Sequence, residues 1–273
     1  MNNNQAAAKF PFFFEYNVHK STIPIGIMDS DYERLAATYG VTLDTLLEQV
    51  ADIDESNKQN AVLLLKATDS STVRHLANKK LVFCGDSNTS CRKSYMNIIR
   101  TALSNLAGFN AVDCAVSGYR VSNLVYNMYP NVHSLHADIA HIMIGTNDIR
   151  RTDGPSHLIM IPAEHFFQSL DFIVTGLVED GTKVILSTLP PVSKSKIATS
   201  QEGWRSAFWE EDRMIFNRII RNIAEKHNVV INDMEDIYKH YSPEELTIDD
   251  GIHLNELGHQ LLAKKLMQIL IAL

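Results

Sequence analysis

Four short blocks of the 273-residue chain carry residue types that can act together on a carbonyl. They are Gly85-Asp86-Ser87-Asn88-Thr89-Ser90, Val116-Ser117-Gly118-Tyr119, Gly145-Thr146-Asn147-Asp148 and Asp250-Gly251-Ile252-His253. A serine hydroxyl is a poor nucleophile at neutral pH and needs an adjacent base. His253 can supply that base. Asp250 stands three residues earlier, close enough to turn back onto the imidazole and fix its tautomer. Attack on an ester creates an oxyanion, which needs preorganised donors. The Ser87 backbone N–H, the Gly118 backbone N–H and the Asn147 side-chain amide are suitable. Glycine at 118 lets the backbone approach a substrate without an intervening side chain.

These blocks need elements that bring them together. From Lys80 the sequence alternates short apolar runs with helical patterns. Strands are expected at Leu81–Cys84, Ala111–Val116, Ile139–Ile144, Val184–Ser187 and Val229–Ile231. Helices are expected over about 94–106, 163–178, 208–226 and 256–270. Continuous apolar strands alternating with helices predict a parallel sheet covered on both faces. Such sheets place their sites beyond the carboxyl ends of the strands. Each of the first three blocks follows a predicted strand, and the fourth precedes the last helix, so one sheet edge can collect all four.

The order Gly-Asp-Ser, Gly, Gly-Thr-Asn-Asp and Asp-x-x-His resembles the SGNH hydrolases, the GDSL esterase/lipase family, over about residues 80–273. The resemblance implies a three-layer α/β/α flavodoxin-like fold with a five-stranded parallel sheet. It also implies ester hydrolysis by a serine, without metal or other cofactor. By position, Ser87 matches the nucleophile, Asp250 and His253 the rest of the triad, and Gly118 and Asn147 the oxyanion donors. Two positions depart from the pattern: Asn88 stands where the family name has leucine, and Asp113-Cys114 stands where an asparagine is often found upstream of the glycine. The Gly-x-Ser-x-Gly elbow of the α/β-hydrolases would need glycine at 89, where Thr89 stands. The expected substrate is a small acyl ester, such as an acetyl ester. A thioesterase or lysophospholipase is the alternative enzyme, and a binding or scaffold module with incidental turnover the alternative from another class.

Two loops are expected to shape the substrate site. Residues 149–162 bring Arg150 and Arg151, an anion-attracting rim. Residues 192–213 bring Trp204 and Trp209, an aromatic wall. His133, His136 and His141 match no metal-ligand spacing, and Cys84, Cys91 and Cys114 form no disulfide framework.

Residues 1–79 lie outside the resemblance and read as a mainly helical accessory segment. The first thirty residues read as irregular. Leu35, Tyr39, Leu43, Leu46, Leu47 and Val50 then mark one helical face, broken near Gly40, and Ala61, Leu64, Leu65 and Leu76 a second. The stretch from Leu35 to Leu46 has helix-turn-helix spacing. Its second helix, however, bears Asp44, Glu48, Asp52, Asp54 and Glu55, which repel phosphate. The whole chain has 25 basic and 32 acidic residues, a net charge of −7, so no nucleic-acid partner is expected. The apolar faces are expected to pack on the hydrolase portion or to form a homo-oligomer. No apolar run approaches the roughly 20 residues of a membrane span. The Met-Asn-Asn-Asn-Gln start lacks the basic and apolar regions of a signal peptide, so the expected location is cytoplasmic.

Overall fold

The computed structural model describes residues 9–22, 29–68, 72–152, 157–199 and 206–273. Its centre is a five-stranded parallel sheet built from β1 (Lys80–Gly85), β2 (Asn110–Asp113), β3 (Ile139–Met143), β5 (Lys183–Ser187) and β7 (Val230–Asn232). The spatial order is β2-β1-β3-β5-β7, and every pairing is parallel. This is the doubly wound, flavodoxin-like order, which opens a crevice where the winding reverses between β1 and β3.

The strands are apolar on both faces because both faces are covered. Leu81, Phe83, Ile139, Met143 and Ile185 join one buried cluster with α6 (Tyr95–Ala102) and α13 (Glu256–Ala272). Val82, Cys84, Ala140, Ile142, Val184 and Leu186 point the other way. They pack against α7 (Val121–Asn131), α8 (Ala163–Glu179) and α10 (Glu210–His227). The period of two along each strand therefore divides the molecule into three layers.

The N-terminal part is more ordered than its sequence suggests. Two short helices, α1 (Phe10–Glu15) and α2 (His19–Thr22), occupy a region that read as irregular. A six-residue helix shows too little periodicity to be recognised, and α1 is held by packing instead. Phe10 and Phe14 are buried with Leu35, Ala36, Tyr39, Leu46 and Ile53. Helix α3 (Tyr32–Tyr39) stops at Gly40, whose φ is 69°. Thr42 then caps α4 (Leu43–Lys66), its side chain accepting from the Thr45 N–H at 3.1 Å.

The two predicted faces beyond Gly40 are thus largely one 24-residue helix, and Leu76 lies apart from it in a 3-10 turn, Arg74–Leu76. Only one stripe of α4 is covered: Leu46, Ile53, Asn57, Asn60, Ala61 and Leu64 are buried, whereas Leu43, Leu47 and Leu65 are exposed. Ala61, Leu64, Val73 and Leu76 share the sheet-side core with Leu81 and Phe83, so this packing runs without a break into β1. The Asn60 amide donates to Glu256 Oε1 at 2.9 Å and ties α4 to α13.

A small antiparallel ribbon joins β4 (Arg151–Thr152) to β6 (Ser206–Ala207). Two-residue strands leave no alternation to read in sequence. The helix expected from Phe208 begins at Glu210, after Trp209. Among the described residues, no helix is long and apolar enough to cross a membrane.

Candidate active site

Ser87 opens the four-residue helix α5 (Ser87–Ser90) directly beyond β1. The turn is tight: a Cβ on Gly85 would come within 2.6 Å of the Met143 carbonyl oxygen and 2.3 Å of Thr89 Oγ1. Only glycine fits there. Asp86 caps the helix, accepting from the Asn88 N–H at 3.0 Å.

The fourth block folds back onto this turn. His253 Nε2 lies 2.7 Å from Ser87 Oγ, and His253 Nδ1 is hydrogen-bonded to Asp250 Oδ2. The other Asp250 oxygen accepts the Ile252 and His253 backbone N–H groups at 2.8 and 3.0 Å. Burial pushes the Asp250 carboxyl up, but the hydrogen bond and charge of His253, with those backbone donors, outweigh it and hold it below the usual carboxylate value. Asp250 is therefore ionised and fixed against the imidazole.

Asn88 supplies a connection that the sequence reading did not assign. Its Oδ1 accepts the Leu254 N–H at 2.8 Å, so the residue after the serine clamps the residue after the histidine. The signal was an uncharged polar residue where the family name has leucine.

Blocks two and three are stitched to each other in the same way. The Asn147 amide donates to the Tyr119 carbonyl at 3.0 Å. Asp148, fully buried, accepts the Val121 N–H at 3.0 Å and so caps the start of α7. Burial raises Asp148 to about 7 and Asp86 to about 6, the latter offset in part by the Asn88 N–H, the His253 charge and a Thr146 hydrogen bond. Gly118 sits at φ 81° with nothing within 4 Å of where a Cβ would stand. Its glycine is required by left-handed backbone rather than by crowding.

Ser87, Gly118, Asn147 and His253 all line one cavity of about 280 Å³. Phe12 and Tyr16, from α1 and the turn after it, line it too. Tyr16 lies against His253, with ring centroids 4.3 Å apart, and Phe12 meets His253 edge-on at 5.7 Å. The segment is pinned there by backbone contacts. The Ser117 hydroxyl donates to the Tyr16 carbonyl, Asn17 Nδ2 donates to the Ser90 carbonyl at 2.6 Å, and the Arg92 N–H donates to the Glu15 carbonyl at 2.7 Å. The cluster of phenylalanines at 10–14 was visible in the sequence, but nothing in it pointed to a histidine more than two hundred residues away.

The expected substrate-loop residues divide. Arg150 lines the cavity, and so does Phe208. Arg151 and Trp209 do not line it. Arg151 makes a bidentate pair with Asp212 at 2.6 and 2.8 Å and stacks 3.9 Å over the Trp209 ring. The aromatic wall is therefore Phe12, Tyr16 and Phe208 rather than Trp209. Trp204 lies outside the described residues. His141 is buried inside β3, between Tyr95 Oη at 3.2 Å and Ser187 Oγ at 2.7 Å, and burial lowers it to about 3. Among the described residues no cluster of three or more His, Cys, Asp or Glu side chains is arranged to hold a metal ion.

Residues 83–261 match the model of the GDSL-like Lipase/Acylhydrolase family. The chain belongs to this family. As a member it is a carboxylic ester hydrolase, with the α/β fold of the SGNH enzymes. Solved structures share that fold at low identity. The acetyl xylan esterase AlAXEase is 23% identical with a TM-score of 0.57, covering 70% of this chain and 98% of its own. Axe2, an acetylxylan esterase from Geobacillus stearothermophilus, is 21% identical with a TM-score of 0.58, covering 72% and 95%. LAE5, an alpha/beta hydrolase enzyme from the metagenome of Lake Arreo, Spain, is 23% identical with a TM-score of 0.57, covering 71% and 95%. No curated protein matches the chain. Phe12, Tyr16 and Val18, which help to wall the cavity, lie outside the part matched by the family.

Proposed function

We propose that this GDSL-family member is a serine esterase that cleaves small acyl esters, acetyl esters foremost, through an acyl-enzyme. The observation that carries this is the continuous chain from Ser87 Oγ to His253 Nε2 at 2.7 Å and from His253 Nδ1 to Asp250. His253 takes the hydroxyl proton as Ser87 attacks the carbonyl. Asp250 holds the tautomer that leaves Nε2 free to accept, and it stabilises the imidazolium once formed. The oxyanion is received by the Ser87 and Gly118 backbone N–H groups and by the Asn147 amide. An amide has two N–H donors: one secures Asn147 to Tyr119, and we assign the second to the oxyanion. His253 then gives its proton to the leaving alcohol, and a water activated by the same imidazole releases the acid.

A cavity of about 280 Å³ favours a short acyl group over a long chain, since drug-sized ligands need roughly 300–1,000 Å³. The acetylxylan esterases named above agree with an acetyl group. Cys84, Cys91 and Cys114 are not joined in disulfides, in keeping with the cytoplasmic location expected from the sequence.

The test is a p-nitrophenyl ester series from C2 to C16, with an organophosphate probe on the intact protein and on Ser87→Ala. Turnover is expected to be highest at C2–C4, and labelling to map to Ser87 and vanish in the variant. A maximum at long chains would favour the lysophospholipase alternative. Rapid labelling with no ester turned over would favour a binding module. Near-normal turnover by Ser87→Ala would overturn the nucleophile assignment.

A further inference from the structure

The cavity beside Ser87 is electrically one-sided. Two guanidinium groups line it, Arg120 and Arg150, and among the described residues no aspartate or glutamate does. Each follows an oxyanion block: Arg120 stands two residues after Gly118, and Arg150 three after Asn147. The bonds from Asn147 to the Tyr119 carbonyl and from the Val121 N–H to Asp148 lock these two turns side by side. Both cations are thereby carried to the same cavity.

They also interact. Burial lowers the Arg150 pKa, and the charge of Arg120 lowers it further. Two like charges sharing one partly buried site repel, and the chain as a whole is acidic at −7, so the pair does not reflect a generally basic surface. The charge of Arg120 acts on the buried Asp148 carboxyl, which offers it limited compensation. Asp148 is spent on the Val121 N–H, and burial raises it to about 7. Arg120 Nε is buried without a hydrogen-bond partner. Arg151, the next residue, does not line the cavity and is held by a bidentate carboxylate on one side and an indole face on the other.

We propose that Arg120 and Arg150 form a subsite for an anionic oxo group, a carboxylate or phosphate carried by the ester near its scissile carbonyl. The protein then selects anionic esters over neutral and cationic ones. The guanidinium fork matches a pair of oxygens on such groups bidentately, and charge-assisted bonds strengthen where water is partly excluded. The aromatic wall of Phe12, Tyr16 and Phe208 faces the remaining, apolar part of a small substrate. This substrate class rests on the assignment of Ser87 as the reacting serine.

The experiment uses the full chain and matched acetates. These are 4-acetoxybenzoate, 4-acetoxyphenyl phosphate, the neutral methyl 4-acetoxybenzoate and the cationic (4-acetoxyphenyl)trimethylammonium ion. A second pair, 4-nitrophenyl hemisuccinate against 4-nitrophenyl butyrate, places the charge on the acyl side. Each kcat/KM is normalised to the ester's own alkaline hydrolysis rate. Wild type is expected to favour an anionic member over its neutral partner by roughly 10- to 100-fold, the scale of hydrogen bonds to charged groups. The two pairs report which side of the ester carries the anion, and carboxylate against phosphate reports its kind. In Arg120→Gln/Arg150→Gln the ratio should fall to about one, and Arg150→Glu should shift preference toward the trimethylammonium ester. A wild-type ratio near one in every pair, or a ratio that survives the double substitution, overturns the proposal. Calorimetric binding of benzoate and inorganic phosphate to Ser87→Ala protein reads the subsite without turnover. Binding that needs both arginines sustains the proposal even if Ser87 proves not to be the nucleophile. No binding of either anion counts against it even if Ser87 labels.

Discussion

Tyr16→Ala tests whether the N-terminal segment belongs to the active site or merely lies against it. Tyr16 is buried and its ring stands 4.3 Å from the His253 ring, while the carbonyl that accepts the Ser117 hydroxyl belongs to the backbone and survives truncation of the side chain. The variant therefore removes the ring and leaves the anchor. An aromatic contact of this kind is worth about 0.5–1.5 kcal/mol beyond the area it buries, which converts to roughly 2- to 13-fold if all of it steadies the imidazole. Steady-state kinetics on a C2 ester should show kcat/KM falling within that range, chiefly through kcat, because the ring holds the histidine rather than the ester. The proposed preference for short acyl groups should weaken at the same time, since the cavity loses part of one wall. Truncating a buried aromatic costs about 3–5 kcal/mol of stability, so the melting temperature should drop too. Tyr16→Phe separates the two effects by restoring the ring, and it should recover kcat and chain-length profile to within about twofold. A Tyr16→Ala protein that melts lower yet keeps kcat and the same ester profile would refute a positioning role for this residue.

Three further outcomes follow from the same contacts. Asn147→Ala should lower kcat by about 10²- to 10³-fold with a smaller change in KM, the loss expected for one oxyanion donor; a pure KM effect would make Asn147 a substrate-binding group. Asn88→Ala strands the Leu254 N–H that it now satisfies, which costs about 1–3 kcal/mol, and should slow turnover while organophosphate labelling still maps to Ser87; unchanged kinetics and melting would show the clamp to be idle. Asp148 is raised to about 7 in the fold from an unfolded value near 3.9, so the protonated form is favoured by folding. Its contribution to stability is complete below about pH 4 and is lost as pH rises through about 7. Asp148→Asn keeps an acceptor for the Val121 N–H and should melt higher than wild type at pH 8 but not at pH 4.5, whereas an equal change at both values would contradict the sign.

The sequence alone determined the layered architecture and the order of the four blocks that meet at one edge of the sheet. Strands buried on both faces must be apolar throughout, and the helices between them must carry a 3.6-residue stripe, so β1, β3, β5 and their connecting helices show in the residue pattern itself. Ser87, Asp250 and His253 could be singled out as candidates because the proposed chemistry restricts residue type, whereas the reason for glycine at 85, a Cβ that would strike the Met143 carbonyl, appears only in the fold. Contacts between distant segments leave no such local mark. Nothing at Phe12 or Tyr16 states that they meet His253; a buried phenylalanine has the same pattern whatever it packs against. Arg150 and Arg151 are adjacent and chemically identical, yet the turn after Ile149 sends one to the cavity and the other to Asp212 and Trp209. The carboxylates Asp86 and Asp148 look like ordinary surface acids in sequence; burial in the fold raises both, and the charge of Asp86 raises Asp148 further. Sequence specifies what each group can do; the tertiary structure decides which partner and how much water each one has.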